Sequence, residues 1–148
     1  MILEKIKTLA AQYQAENVAT RRHLHANPEL SYQEFETCKY VQAQLAKIGI
    51  PFTVIATTGV LGIIEGKNPA SRIIALRADM DALPIIEENN IDYISTKEGV
   101  MHACGHDVHT TILLGAAKIL WELKGEFEGT IKLLFQPGEE KNPGGASY

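Results

Sequence analysis

The feature that most constrains this sequence is a change of hydrophobic period near residue 50. Before it, Ile2, Ile6, Leu9, Ala10 and Tyr13 recur at helical spacing, and so do Phe35, Cys38, Val41, Leu45 and Ile48. Each set is an apolar stripe of the kind an amphipathic helix buries. After Gly49 and Pro51 the stripes give way to short apolar runs at Phe52–Ala56, Val60–Glu65 and Arg72–Arg77, divided by Gly59, Gly66 and Asn68-Pro69. Runs of that length between turn residues predict strands. Ile73-Ile74-Ala75-Leu76 is unbroken rather than alternating, which predicts a strand covered on both faces. A third helix is expected over Val108–Lys124, with Ile112, Leu113, Ala116, Ile119 and Leu120 turned inward, followed by a strand at Thr130–Phe135. Helices, strands, helix, strand: the order implies an α/β sandwich around a mixed sheet.

The breaks are legible too. The first helix is expected to stop near Asn27-Pro28, because the residue before a proline is forced out of helical space. The second is expected to start at Ser31, with Glu34 three residues on completing a capping box. Residues 85–100 are polar and aperiodic and read as a long connection.

Composition sets the outer limits. The 148 residues, 45% hydrophobic and 22% charged, suit one soluble domain or a large fragment of one. The net charge is -4 and no basic run exceeds Arg21-Arg22, so the concentrated cationic footprint of a nucleic-acid binder is absent. No stretch approaches the roughly 18 consecutive apolar residues of a membrane span, and Met1–Lys7 lacks the pattern of a secretory leader. A cytoplasmic protein with no membrane or nucleic-acid partner is expected. Cys38 lies on an apolar stripe and reads as core, and no disulfide to the distant Cys104 is expected. The Arg21–His25 segment, at a helix end where cations are favoured anyway, is assigned no chemistry.

Three segments carry the ionisable groups, each at a strand end or just before a helix, where open α/β sheets place their sites. In Arg77-Ala78-Asp79-Met80-Asp81-Ala82-Leu83-Pro84 two acids follow a buried strand. They could shape a turn or serve chemistry. In His102-Ala103-Cys104-Gly105-His106-Asp107-Val108-His109 a thiol, three imidazoles and a carboxylate fall within eight positions. Packing does not produce such a cluster, whereas metal ligation does. Cys104 and His106 can point to one side, Gly105 lets the chain bend, and the following helix N-terminus is expected to help the thiol ionise. His102 and His109 are weaker candidates. In Gln136-Pro137-Gly138-Glu139-Glu140 two adjacent carboxylates repel unless a cation or proton stands between them. Alone they would read as a solvated loop. Beside the Cys/His cluster, one can ligate a metal while the other takes a proton from water.

These segments, together with Arg22-His23-Leu24-His25-Ala26-Asn27-Pro28-Glu29-Leu30-Ser31, occur in an order that resembles one branch of the zinc-peptidase-like amidohydrolases. That branch contains hippurate hydrolases, N-acyl-L-amino acid amidohydrolases and plant indoleacetyl-amino acid hydrolases. The resemblance spans essentially the whole chain, and its four ordered motifs make it specific. It implies a zinc-peptidase-like (phosphorylase/hydrolase-like) three-layer α/β sandwich, incomplete on its C-terminal side. It implies Cys104, His106 and Glu140 as ligands of a centre of two divalent ions (zinc, manganese, cobalt or nickel) and Glu139 as the general base. Asp81 is implied as the acid that orients a metal ligand. Asp79 stands where many wider relatives carry a ligand histidine, and in this branch His106 replaces it. Gly138 stands where alanine is common, an exchange expected to matter little.

The resemblance further implies that residues 1–148 are the N-terminal portion of the catalytic domain. Two further histidine ligands and a smaller dimerisation domain would lie outside them, in a homodimeric full-length enzyme acting on small N-acyl amino acids. Other readings are an inactive fragment that at most binds metal weakly, a related carboxypeptidase or diaminopimelate deacylase, and a thiol enzyme using Cys104 as nucleophile. The last would be sensitive to alkylation and indifferent to chelators.

Overall fold

The computed structural model describes residues 1–148. Its elements are α1 (Ile2–Ala26), α2 (Phe35–Ile48), β1 (Phe52–Ile55), β2 (Gly59–Glu65), β3 (Ile73–Asp79), α3 (His106–Glu122) and β4 (Thr130–Gln136), with single 3-10 turns at Pro69–Ser71 and Gly145–Ser147. The strands form one mixed sheet in the order β1-β2-β4-β3. β1 and β4 each run antiparallel to β2, while β3 and β4 are parallel. No helix is long and apolar enough to cross a membrane.

One face of the sheet makes the core. Val60 pairs with Phe135, Gly62 with Leu133 and Ile64 with Ile131, so these side chains share a face. Against it pack Cys38, Val41 and Leu45 of α2 and Leu113, Leu114 and Ala117 of α3. The period of 2 in the strands and about 3.6 in the helices brings these positions together. α2 ends where Gly49 takes a left-handed φ of 94°, its N–H and that of Ile50 both returning to the Leu45 carbonyl. Such an ending favours glycine, and Pro51 then prevents the helix from resuming.

Four expectations are corrected. α2 begins at Phe35, and no capping box forms. Glu29 instead reaches forward, its carboxylate accepting from the Glu36 and Thr37 amides at 3.2 and 2.8 Å. That frees Ser31 and Glu34 for other partners. Second, the start of β3 is covered on neither face: Ile73 and Ile74, which point to opposite faces, are 64% and 48% exposed, and β3 is an edge strand besides. Third, α3 starts at His106 and turns Thr110, Leu113, Leu114 and Ala117 inward, leaving Ile112 63% exposed. Apolar residues line more than one side of this helix, so its stripe alone did not decide which side faced the core. Finally, α1 packs along α3, with Asn17 against Gly115, Glu16 paired with Lys118 and Tyr13 bonded to Glu122, while the Ile2–Ile6 end of its stripe stays exposed.

Candidate metal centre

Parallel pairing of β3 and β4 puts the carboxyl ends of both strands at one edge of the sheet. The last residue of β3 is Asp79 and the chain just after it delivers Asp81 there, while the chain after β4 delivers Glu139 and Glu140. The N-terminus of α3 arrives at the same edge. Gly105 precedes it with a φ of 116°, so the chain turns sharply between Cys104 and His106. Separations of more than 30 residues in sequence are thereby closed.

One sulfur, one ring nitrogen and one carboxylate oxygen, from Cys104, His106 and Glu140, lie within 4.8 Å of one another. His106 is buried, and its Nδ1 lies 2.9 Å from the Asp81 backbone carbonyl. If that nitrogen carries the proton, Nε2 is left with its lone pair, 3.7 Å from Glu139 Oε2 and 3.9 Å from Glu140 Oε1. Glu139 is the more open acid, its side chain 40% exposed against 22% for Glu140.

Asp81 sits behind this group, fully buried. Its Oδ2 accepts from the Ser31 hydroxyl at 2.7 Å and from the Glu140 amide at 2.9 Å. Burial by itself would raise the Asp81 carboxyl, but His106, Ser31 and the Glu139 and Glu140 amides outweigh it and hold it at about 2. Asp81 is therefore ionised, and it shapes its neighbour. Burial would lower His106, yet the Asp81 side chain, the Asp81 carbonyl and nearby carboxylates raise it to about 8.

The Cys104 thiol moves opposite to the sequence-based expectation. Burial, a hydrogen bond to Glu140 and the charges of Glu140, Glu139 and Asp79 push it up, not down. Burial comes first, and three carboxylates add to it. So much negative charge around a thiol, an imidazole and an ionised acid suits a divalent cation, which would take the place of the protons held on Cys104 and His106. Asp81 Oδ1, buried and without an aligned hydrogen-bond donor, lies 3.2 Å from His106 Nδ1, at the ring nitrogen turned away from the two glutamates. Sulfur, nitrogen and oxygen donors on a rigid sheet edge fit zinc, manganese, cobalt or nickel.

The weaker candidates fall into place around this group. Asp79, His106 and His109 form a second set whose donor atoms are also within 4.8 Å, sharing His106 with the first. Asp79 Oδ1, however, is held by Arg77 through Nε at 2.9 Å and Nη2 at 2.8 Å. His102 is buried with Nδ1 unpartnered, and burial lowers it to about 4. Cys38 is buried, and both cysteines are free.

Sequence reasoning missed a buried polar network under the Cys/His segment. His25 Nδ1 lies 2.7 Å from Asp107 Oδ2 and Nε2 lies 2.9 Å from Glu87 Oε1, with Arg21 Nε 3.0 Å from the same Asp107 oxygen. The Arg21–His25 segment thus fastens α1 to the residue after His106 and to the 85–100 connection. The spacing of Arg21 and His25, four apart on one helix face, was the available signal.

The model profile described as Peptidase family M20/M25/M40 matches residues 75–148. An N-acyl-L-amino acid amidohydrolase of Geobacillus stearothermophilus is 48% identical over 147 residues, covering 99% of this chain and 40% of that protein. An IAA-amino acid hydrolase (ILR1-like 5) of Arabidopsis thaliana is 51% identical over 129 residues, covering 86% of this chain and 29% of that protein. The Bacillus subtilis YXEP protein, described as a dinuclear metal binding peptidase, superposes with a TM-score of 0.87 at 40% identity, covering 90% of this chain and 38% of that one. The chain thus spans about 40% or less of the length of these relatives. With one sheet edge gathering the thiol, imidazole and carboxylates, and with the profile running through all three of their segments, this chain belongs to peptidase family M20/M25/M40.

Proposed function

We propose that Cys104, His106 and Glu140 ligate a divalent metal and that the full-length protein hydrolyses the amide bond of N-acyl amino acids. The convergence of these three donors with Glu139 beside them carries the reading. When bound, a pair of divalent ions supplies the Lewis acidity that polarises an acyl carbonyl and acidifies a water. Glu139, the exposed acid of the pair and 3.7 Å from His106 Nε2, would take a proton from the water whose oxygen adds to the acyl carbon. As the C–N bond breaks it would return the proton to the departing amine nitrogen, leaving a carboxylic acid and an amino acid. His106 presents Nε2 because Asp81 occupies Nδ1, an outer partner of the kind that orients ligand imidazoles.

On the same reading, residues 1–148 are the N-terminal portion of the catalytic domain. Two further histidine ligands and a dimerisation domain belong to the remaining length seen in the relatives, and the complete enzyme is a cytoplasmic homodimer. The amidohydrolase named among those relatives supports the N-acyl amino acid substrate class. Two unpaired thiols suit a reducing compartment.

The test is made in the full-length protein with N-acetyl amino acids as probes. Glu139→Gln is expected to keep the metal content while lowering turnover by about 10²–10⁴-fold. Cys104→Ala is expected to lose metal, and a chelator is expected to silence the wild type. Activity that survives Glu139→Gln, or that ignores chelators while yielding to thiol alkylation, would overturn the reading.

A further inference from the structure

The connection between α1 and α2 contributes nothing to the donor set, yet it is tied to both acid-bearing loops. Leu30 bridges Ala82, and the Ala82 amide donates to the Glu29 carbonyl at 2.8 Å, which sets the connection beside Asp81. The Ser31 hydroxyl donates to Asp81 Oδ2 at 2.7 Å, and the same oxygen receives the Glu140 amide. Tyr32, at a left-handed φ of 65°, lays its ring over Gly138 and donates from its hydroxyl to the Lys141 carbonyl at 3.3 Å. Glu34 is wholly buried, one carboxylate oxygen accepting from the Gly138 amide and the other from the Thr58 hydroxyl, each at 2.8 Å. Three of the four residues Ser31–Glu34 therefore meet the Gly138–Lys141 loop at three points and the Asp81 loop at one.

We infer that Ser31–Glu34 is a positioning strap, in which Ser31 fixes the Asp81 carboxylate that holds the Glu140 amide and Glu34 fixes the Gly138 amide, together aiming Glu139 and Glu140 at Cys104 and His106. The inference rests on the metal-centre reading above and adds residues to it that touch neither metal nor substrate. A buried carboxylate used only for fold stability could pair with any amide. Here the amide it chooses is one residue from Glu139, and the Ser31 contact ends on the oxygen that anchors Glu140. Isolated surface contacts would leave the two acids free to diverge under mutual repulsion, whereas the strap restrains the backbone that carries them.

The test uses ¹⁵N-labelled protein and Co²⁺ as the probe ion. In Ser31→Ala, the Glu140 amide is expected to exchange with solvent about tenfold faster, as local opening is eased. Co²⁺ affinity, followed through the thiolate-to-cobalt absorption band, is expected to fall about 10-fold to 100-fold, the usual cost of losing an outer-layer partner. Ser31→Thr keeps the hydroxyl and restores both. Glu34→Gln retains an acceptor for the Gly138 amide and a donor for Thr58, so it keeps Gly138 protection that Glu34→Ala loses. If Glu34→Ala does not fold, the Ser31 pair decides.

A Ser31→Ala protein that melts lower yet binds Co²⁺ within twofold of the wild type reduces the strap to a stability element and overturns the inference. So does wild-type exchange at Glu140 in that variant. Cys104→Ala separates the two levels of argument. If it loses Co²⁺ while Ser31→Ala does not, only the strap fails. If it binds Co²⁺ as the wild type does, the metal-centre reading fails and the inference falls with it.

Discussion

Asp81 shows how much one side chain can carry when it is buried. It presents its carbonyl to His106, its Oδ2 to Ser31 and the Glu140 amide, and its charge to the whole cluster. Gly138, a few residues away in space, corrects the expectation that alanine would serve as well there. Its φ is 61°, and a Cβ would stand 2.5 Å from the Tyr32 ring. Gly138→Ala is therefore expected to destabilise by about 1–2 kcal/mol from the left-handed backbone alone. The Tyr32 ring must also shift. Chemical denaturation checks this, and an unchanged midpoint would show that the loop relaxes freely. At this scale Cys104, His106, Glu139 and Glu140 were legible, because unusual residue types crowd together in the chain. Ser31, Glu34 and His25 were not, because each acquires its partner only at a sequence separation of 50 or more: Ser31 to Asp81, Glu34 to Gly138, His25 to Glu87.

Elements show where periodicity is sufficient and where it is not. The strand positions were legible to within two residues, and so was the stop of α2 at Gly49, since turn residues punctuate the apolar runs. The start of α2 was not. Its capping residues could satisfy the same amides locally or engage distant groups, and the distant groups won. α1 illustrates a further use of an element, as the carrier of a buried polar anchor for the 85–100 connection. Burial would raise the Glu87 carboxyl, but Asn89, His25 and the Ser95 amide lower it from 4.5 to about 2. A carboxyl depressed in the folded state stabilises fully above its unfolded pKa and less as pH falls through the folded one. Glu87→Gln is therefore expected to flatten the pH dependence of unfolding free energy between about 4.5 and about 2. Urea melts at stepped pH read this directly, and a slope equal to the wild type would contradict the role given to Glu87.

The molecule as a whole has one well-packed sheet face and, at β3, an unpaired edge rich in apolar side chains. Along that edge Ile73 and Ile74 are exposed, and Ile112 with Leu76 and Ala116 borders a groove of about 610 Å³ between α3 and β3. An unpaired edge strand with apolar side chains is a template for association. Concentration-dependent sedimentation is expected of these 148 residues, and Ile74→Lys, which puts a charge on the edge, is expected to shift them towards monomer. A monomer at every concentration in the unsubstituted chain would refute this. The same edge explains the one misread strand. Ile73-Ile74-Ala75-Leu76 has the composition of a covered strand, and composition reports what a segment favours, not which neighbours it meets. Period, turn residues and clustered titratable side chains are local properties of the chain, and they sufficed for the element types, the mixed α/β class and the candidate donors. Which face of α3 turned inward, and which carboxylates gather at His106, came from the packing of the elements. It alone decided, too, that the connection after α1 braces the acids of two separate strands. Those outcomes depend on the parallel register of β3 with β4, a long-range pairing that no local pattern encodes.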